Sequence, residues 1–215
     1  MNKQSDIIPA FPTPISIGEF SISDENKQKI INVEYNRLNA DNGDMSKDKY
    51  VLDRPELAEV KKEVMSHVNG FVRNALHVTP EIEFHITNSW VMRHHRGDWA
   101  PRHYHNNSLV SGIFYIKCDE NSGDLVLSRS STHINLFPPT FQFKFTENNL
   151  FNSGYWEFTP QENQIFLFPS HLDHEVKPSN SDRERICVAF NIWIKGTLNF
   201  NTDNDDEQIG TLDIR

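Results

Sequence analysis

Thr79-Pro80-Glu81-Ile82-Glu83-Phe84-His85-Ile86-Thr87 is where the chain changes its period, and that change decides the fold. Pro80 restricts the residue before it to extended backbone and so closes off the preceding helix. From there Ile82, Phe84, Ile86, Trp90 and Met92 alternate with Glu81, Glu83, His85, Thr87 and Ser89, the two-residue period of a strand with one buried face. Downstream, strands are predicted at Leu109 to Ile116, Asp124 to Leu127, Phe141 to Phe145, Tyr155 to Phe158, Gln164 to Phe168 and Arg185 to Ile194. Gly112, Gly123, Gly154 and several prolines punctuate them, and no helical crossover separates them. The expected fold is therefore mainly β with N-terminal helices: an antiparallel double-stranded β-helix, or cupin-like jelly roll, and not an α/β sheet.

Working upstream, the N-terminal third reads as a strand and helices. Ser23 followed by Asp24 and Glu25 suits a helix start, and Ile31, Tyr35 and Leu38 then recur at helical spacing, which predicts a helix ending near Asn42-Gly43. Asp44 to Asp53 reads as a polar loop. A second helix is predicted from Pro55, with Leu57, Val64, Val68, Phe71 and Ala75 on one stripe. Such stripes need a sheet to cover, so the helices are expected outside one sheet of the barrel. The organisation expected is one domain over 1–215, with the strand and supporting helices in 1–80, the jelly-roll core in 81–200 and an acidic tail in 201–215. The end of that tail, Ile209 to Ile214, is apolar enough to dock back on the core.

Bulk properties narrow the classes. The 215-residue chain carries a net charge of −9, which argues against a sequence-independent grip on phosphate backbones, so nucleic acid is not an expected partner. Cys118 and Cys187 are too few for a disulfide framework. The start, MNKQSDIIPAFPTP, lacks the continuous apolar region of a signal peptide, and no apolar run reaches membrane-spanning length. The expectation is a cytoplasmic protein with no membrane partner. Oligomeric state has no code in the sequence, and a homodimer stays open.

The chemistry concentrates in His103-Tyr104-His105, His174 and Arg185. Histidines at i and i+2 on extended chain project to the same side, so their imidazoles can converge on one metal, and the distant His174 can close the set. It follows the apolar run Phe166-Leu167-Phe168-Pro169-Ser170, which suggests a turn at the rim of a barrel. Arg185 opens the apolar strand Ile186-Cys187-Val188-Ala189-Phe190-Asn191-Ile192-Trp193-Ile194, where a fixed guanidinium can grip a carboxylate bidentately. With ten histidines in the chain the spacing alone is weak, and His94, His95, His133 and His171 are candidate substitutes for these ligands or neighbours of the site. Asn191, polar in an apolar strand and of the same parity as Arg185, is expected in the pocket, whereas Cys187 is read as a small core residue. Trp90 and Trp193 are read as core. The loop Arg96-Gly97-Asp98-Trp99 is either an overhang above the metal or a plain surface turn.

At these residues the chain resembles the Fe(II)/2-oxoglutarate-dependent oxygenase superfamily, and more closely a short bacterial and marine-phage family. The matching segments are His103-Tyr104-His105-Asn106-Asn107-Ser108, Ser111-Gly112-Ile113-Phe114-Tyr115, Phe168-Pro169-Ser170-His171-Leu172-Asp173-His174 and Arg185 to Asn191, within residues 82–200. The resemblance implies that His103, His105 and His174 hold Fe(II), and that His105 stands where the wider superfamily places a carboxylate. A shifted register using His105 and Asn107 is the alternative. Imidazole in place of carboxylate leaves the centre one positive unit richer. The resemblance further implies that Arg185 holds the distal carboxylate of 2-oxoglutarate, that Tyr115 hydrogen-bonds the same group, and that Asn191 serves the cofactor pocket. The implied activity is hydroxylation of an unidentified substrate with release of succinate and carbon dioxide, in the host's cytoplasm if the gene is a phage's. Two further readings fit the same residues: a cupin-type three-histidine dioxygenase that does not use 2-oxoglutarate, and a non-catalytic jelly roll with a metal-binding or structural role.

Overall fold

A computed structural model describes residues 6–39, 41–129, 144–198 and 212–214. In chain order the strands are β1 (Ser16–Glu19), β2 (Tyr35–Arg37), β3 (Asp44–Ser46), β4 (Glu83–His94), β5 (Ala100–His103), β6 (Val110–Lys117), β7 (Leu125–Ser128), β8 (Tyr155–Phe158), β9 (Gln164–Pro169), β10 (Asp173–Val176), β11 (Arg185–Leu198) and β12 (Leu212–Ile214). The helices are α1 (Asp24–Ile31) and α2 (Ala58–Asn69). The large sheet runs β1-β9-β6-β11-β4-β3-β2, with β12 also on β11, and the small sheet runs β5-β10-β7-β8. Every ladder between these strands is antiparallel. Two antiparallel sheets with helices on one outer face make a mainly β jelly roll.

Strand β11 shows how the sequence builds this. It sits between β4 and β6, so both of its edges are paired. Ile186, Val188, Phe190 and Ile192 point to the helical side, where they pack with Leu57, Val60, Val64 and Val68. Cys187 points the other way, into the space between the sheets, with Ile113, Tyr115, Leu125, Leu127, Phe166 and Phe168. The near-continuous apolar run is thus a central strand buried on both faces, and each fully buried Val, Leu, Ile or Phe side chain there contributes about 1.5–3 kcal/mol. Where β6 crosses under this core, Gly112 leaves room for Phe190: a Cβ there would lie 2.1 Å from Phe190 Cζ and 2.8 Å from Leu167 Cδ2.

Three expectations for the N-terminal region need correction. Ser23 caps α1 as expected, its side chain accepting from the Asn26 amide at 3.3 Å, but the helix ends at Ile31. Tyr35 and Leu38 are not on it. Residues 35–37 and 44–46 pair as a hairpin that extends the large sheet through β3 and β4, so the segment read as a polar loop from Asp44 begins with a strand. The helical spacing of Ile31, Tyr35 and Leu38 is a coincidence that sheet pairing overrides. The second helix does begin with a tight turn at Pro55–Leu57, and Leu57, Val64, Val68 and Phe71 are buried. Its last turn widens to a π-helical turn at Gly70–Ala75, which shifts the stripe onto Val72 and leaves Ala75 exposed.

The strand expected at Phe141 to Phe145 falls mainly outside the described residues, as do His133 and the acidic run 201–207. Residues 212–214 do pair with Gly196–Leu198 of β11. No helix among the described residues is long and apolar enough to cross a membrane.

Candidate metal centre and adjoining cavity

His103 ends β5 and His174 lies in β10, directly opposite one another in the small sheet's ladder. His174 is therefore a strand residue and not part of a rim turn. His105 lies in the connection from β5 to β6, pinned by its own amide, which donates to the Ser170 carbonyl at 3.0 Å. A nitrogen from each of the three rings lies within 4.8 Å of the other two, and no other such set of three or more potential ligands occurs among the described residues. The ring centroids are 4.2 Å apart for His103 and His174, 4.8 Å for His105 and His174, and 5.2 Å for His103 and His105.

Each ring is oriented by its Nδ1. His103 Nδ1 donates to the Pro101 carbonyl at 2.7 Å, and His174 Nδ1 to the Leu172 carbonyl at 3.0 Å. His105 Nδ1 donates to Asn191 Oδ1 at 2.6 Å and also lies 2.9 Å from Ser111 Oγ. With Nδ1 carrying the proton, Nε2 of all three rings keeps its lone pair, the arrangement a metal requires. Burial favours the neutral form as well. It pushes His174 down to about 3, helped by the neighbouring His103, and lowers His105. The support for His105 continues outward: Ser111 Oγ donates to Asn191 Oδ1 at 2.9 Å and meets Ser170 Oγ at 2.8 Å, and Ser170 Oγ donates to Ser108 Oγ at 2.7 Å. Asn107, the ligand of the shifted register, is exposed, in a left-handed turn with φ of 57°.

A cavity of ≈ 270 Å³ opens from the three histidines, and Arg185 lines it too. Arg185 is 1% exposed. Its Nη2 donates to the Tyr115 hydroxyl at 3.4 Å, while Nε and Nη1 are buried with no partner. A guanidinium held this way in an apolar surround calls for an anion. Tyr115 is fully buried, packed edge-on against Phe166 with ring centroids 6.0 Å apart, and burial raises its pKa, so it is a neutral phenol that orients Arg185. Asn191 lies against His105 and not against Arg185, so its contact is with a residue of the histidine cluster.

Sequence reading does not assign Trp90 to the cavity and leaves the place of His94 open. Trp90, read as core, lines the cavity and meets the His105 ring edge-on at 5.8 Å. His94, read as a substitute ligand or a neighbour of the site, is 2% exposed, lines the cavity, and has both ring nitrogens unpartnered. Strand parity alone puts both on the inner face, since they share it with Met92, but nothing in the sequence distinguishes a cavity wall from a filled core. His95 lies 3.3 Å from Asp44, away from the cluster, and His171 is exposed. The loop Arg96 to Trp99 does not line the cavity: the Gly97 amide donates to the Ser179 carbonyl, and Asp98 receives Arg37 bidentately at 2.5 and 2.8 Å.

The fit of residues to a metal and an anionic cosubstrate is thus written in the donors themselves: three clustered imidazoles whose Nδ1 atoms are engaged elsewhere at one place and two orphaned guanidinium nitrogens at another, joined by one cavity. Residues 88–191 match the family model described as "Putative 2OG-Fe(II) oxygenase". No curated protein matches the chain. Among solved structures, a prolyl-4-hydroxylase from Pseudomonas putida is similar with a TM-score of 0.53 and 13% identity, over 85% of this chain and 92% of that one. HygX from Streptomyces hygroscopicus, solved with nickel and 2-oxoglutarate bound, gives a TM-score of 0.57 at 10% identity, over 95% and 93%. A 2OG-Fe(II) oxygenase family oxidoreductase from Burkholderia pseudomallei gives 0.54 at 11%, over 78% and 75%. At these identities the structural likeness speaks for the fold alone. With the jelly roll and the histidine cluster, the match over residues 88–191, just under half of the chain, makes this protein similar to the 2OG-Fe(II) oxygenases.

Proposed function

We propose that the chain is a dioxygenase that holds Fe(II) through Nε2 of His103, His105 and His174 and hydroxylates a C–H bond of a second substrate, turning 2-oxoglutarate into succinate and carbon dioxide. The observation that carries this reading is the buried guanidinium of Arg185, with two unpartnered nitrogens, on the wall of the cavity that the three histidines share. When bound, Fe(II) and 2-oxoglutarate supply the oxidative decarboxylation and the activation of oxygen.

The chain's own residues supply binding, orientation and dryness. Arg185 offers a two-pronged donor to a carboxylate, and Tyr115 fixes the direction of that fork through Nη2. Asn191 and Ser111 lock the His105 ring, and the carbonyls of Pro101 and Leu172 lock the other two. Met92, Ile113, Leu125, Phe168 and Val176 line the cavity with apolar surface, which limits water near the reacting groups. His103 is exposed, so the centre opens to solvent on that side, where oxygen and the second substrate have access. His103, His105 and His174 would hold Fe(II), which would supply the site for the 2-oxo acid and oxygen.

The third imidazole favours one competing reading, a three-histidine dioxygenase that does not use 2-oxoglutarate. Oxygen consumption and succinate release by the Fe(II)-loaded protein, with and without 2-oxoglutarate, separate the two. Consumption that depends on 2-oxoglutarate with matching succinate supports the proposal; consumption indifferent to it supports the competitor.

A further inference from the structure

His94 lies directly opposite Arg185 in the β4–β11 ladder. Facing residues on adjacent antiparallel strands put their Cβ atoms about 4.5–5.5 Å apart on the same face, so the imidazole and the guanidinium share one wall of the cavity. Both are at most 2% exposed, and between them four ring and guanidinium nitrogens have no partner: Nδ1 and Nε2 of His94, Nε and Nη1 of Arg185. Leaving a buried polar group unsatisfied is costly, and two such side chains side by side point to one missing partner.

The ring is held in place. Gly43, with φ of 77°, packs against it so closely that a Cβ would lie 2.3 Å from His94 Cδ2 and 3.0 Å from Nε2. Asn42 and Met45 of the same hairpin line the cavity beside it. A histidine buried against an arginine stays neutral, and burial followed by the Arg185 charge pushes this one down to about 3.

We infer that His94 is a second anchor for the distal carboxylate of 2-oxoglutarate, donating one imidazole N–H to the carboxylate that Arg185 neutralises. This rests on the cosubstrate reading above. The division of labour follows from charge: one carboxylate needs one positive partner, which Arg185 supplies, and a neutral imidazole adds a hydrogen bond without a second, uncompensated charge in the apolar cavity.

The test is a titration of 2-oxoglutarate, and separately of pyruvate, into Fe(II)-loaded protein without oxygen. Pyruvate has the same 2-oxo acid head and no distal carboxylate. His94→Leu is expected to weaken 2-oxoglutarate by about tenfold to a hundredfold, the size of one hydrogen bond to a charged group, and to leave pyruvate and Fe(II) affinity unchanged. His94→Gln, which keeps an N–H donor, is expected to recover most of the loss. Equal 2-oxoglutarate affinity in the parent and His94→Leu overturns the inference, and so does an equal loss for 2-oxoglutarate and pyruvate, which marks a packing defect. A parent that binds no 2-oxoglutarate overturns the cosubstrate reading and this inference with it. Should His94→Leu not fold, the unaltered protein loaded with Zn(II) and labelled at its histidine nitrogens decides: a strongly downfield His94 N–H proton that appears with 2-oxoglutarate and not with pyruvate supports the contact, and its absence overturns it.

Discussion

Among single residues, those that orient the three imidazoles matter most to the proposed centre. The Asn191 to His105 contact of 2.6 Å is made by a side chain, whereas His103 and His174 lean on backbone carbonyls, so it is the contact open to substitution. Asn191→Leu removes the Nδ1 acceptor and leaves Ser111 unable to replace it fully; removing such a supporting group weakens metal binding by about 10–100-fold. Competition against a metallochromic chelator measures it, and an affinity equal to the parent's contradicts the assignment. A sharper check compares His105→Ala with Asn107→Ala. His105→Ala is expected to lose Fe(II) binding and Asn107→Ala to keep it, and the reverse result restores the shifted register. The pairing of His103 and His105 is legible in the sequence because two-residue spacing carries geometry with it. The role of Asn191 is legible only halfway: an amide in an apolar strand demands a partner, yet only the fold shows that the partner is His105.

Among the elements, the helices belong to the large sheet's outer face. Leu57 is fully buried between them and the sheet. Leu57→Ala is expected to cost about 2–5 kcal/mol of stability, read by urea unfolding, with Fe(II) affinity unchanged because the histidine cluster lies on the other face of the sheet. Removal of residues 1–70 bares Phe114, Val188 and Phe190 to water and is expected to give insoluble protein; a soluble, metal-binding truncation contradicts the packing described. Strands are legible where both faces or alternate faces are apolar, as in β4, β6, β9 and β11. The hairpin β2–β3 escapes sequence reading because Asp44, Arg37 and Arg93 look solvent-facing there, whereas in the fold they form ion pairs: Arg93 meets Asp44 at 2.7 Å, and Arg37 meets it at 3.4 Å. Short strands held by charge near a sheet edge give no hydrophobic period to read.

For the chain taken together, two buried neutral histidines tie stability to pH. In the metal-free protein His94 and His174 are held at about 3, by burial first, then by Arg185 and His103 respectively. The unfolded chain protonates histidine near pH 6.5. Between roughly pH 6.5 and 3 the unfolded state therefore binds more protons, so this stability is fully present above about 6.5 and is lost as pH falls, by about 1.4 kcal/mol per pH unit for each histidine. Asp44 and Asp98, which burial raises but their arginine and histidine partners lower further, add their loss only below about pH 4. Urea unfolding of metal-free protein at about pH 7.5, 6.5 and 5.5 checks the slope, which His94→Gln is expected to reduce by about half. A flat profile contradicts two buried neutral rings.

Everything proposed for this chain depends on the three histidines and Arg185 acting together as one site for Fe(II) and 2-oxoglutarate. Anaerobic titration of 2-oxoglutarate into the Fe(II)-loaded parent and Arg185→Ala tests that joint role. Saturable binding is expected for the parent, with a loss of about 30-fold to several thousand-fold in Arg185→Ala, the cost of truncating one member of a buried charge pair. Arg185→Lys is expected to recover part of that, as a point charge in place of a fork. A parent that binds no 2-oxoglutarate, or an Arg185→Ala protein that binds it as tightly as the parent, contradicts the joint site and moves the three-histidine dioxygenase without 2-oxoglutarate ahead.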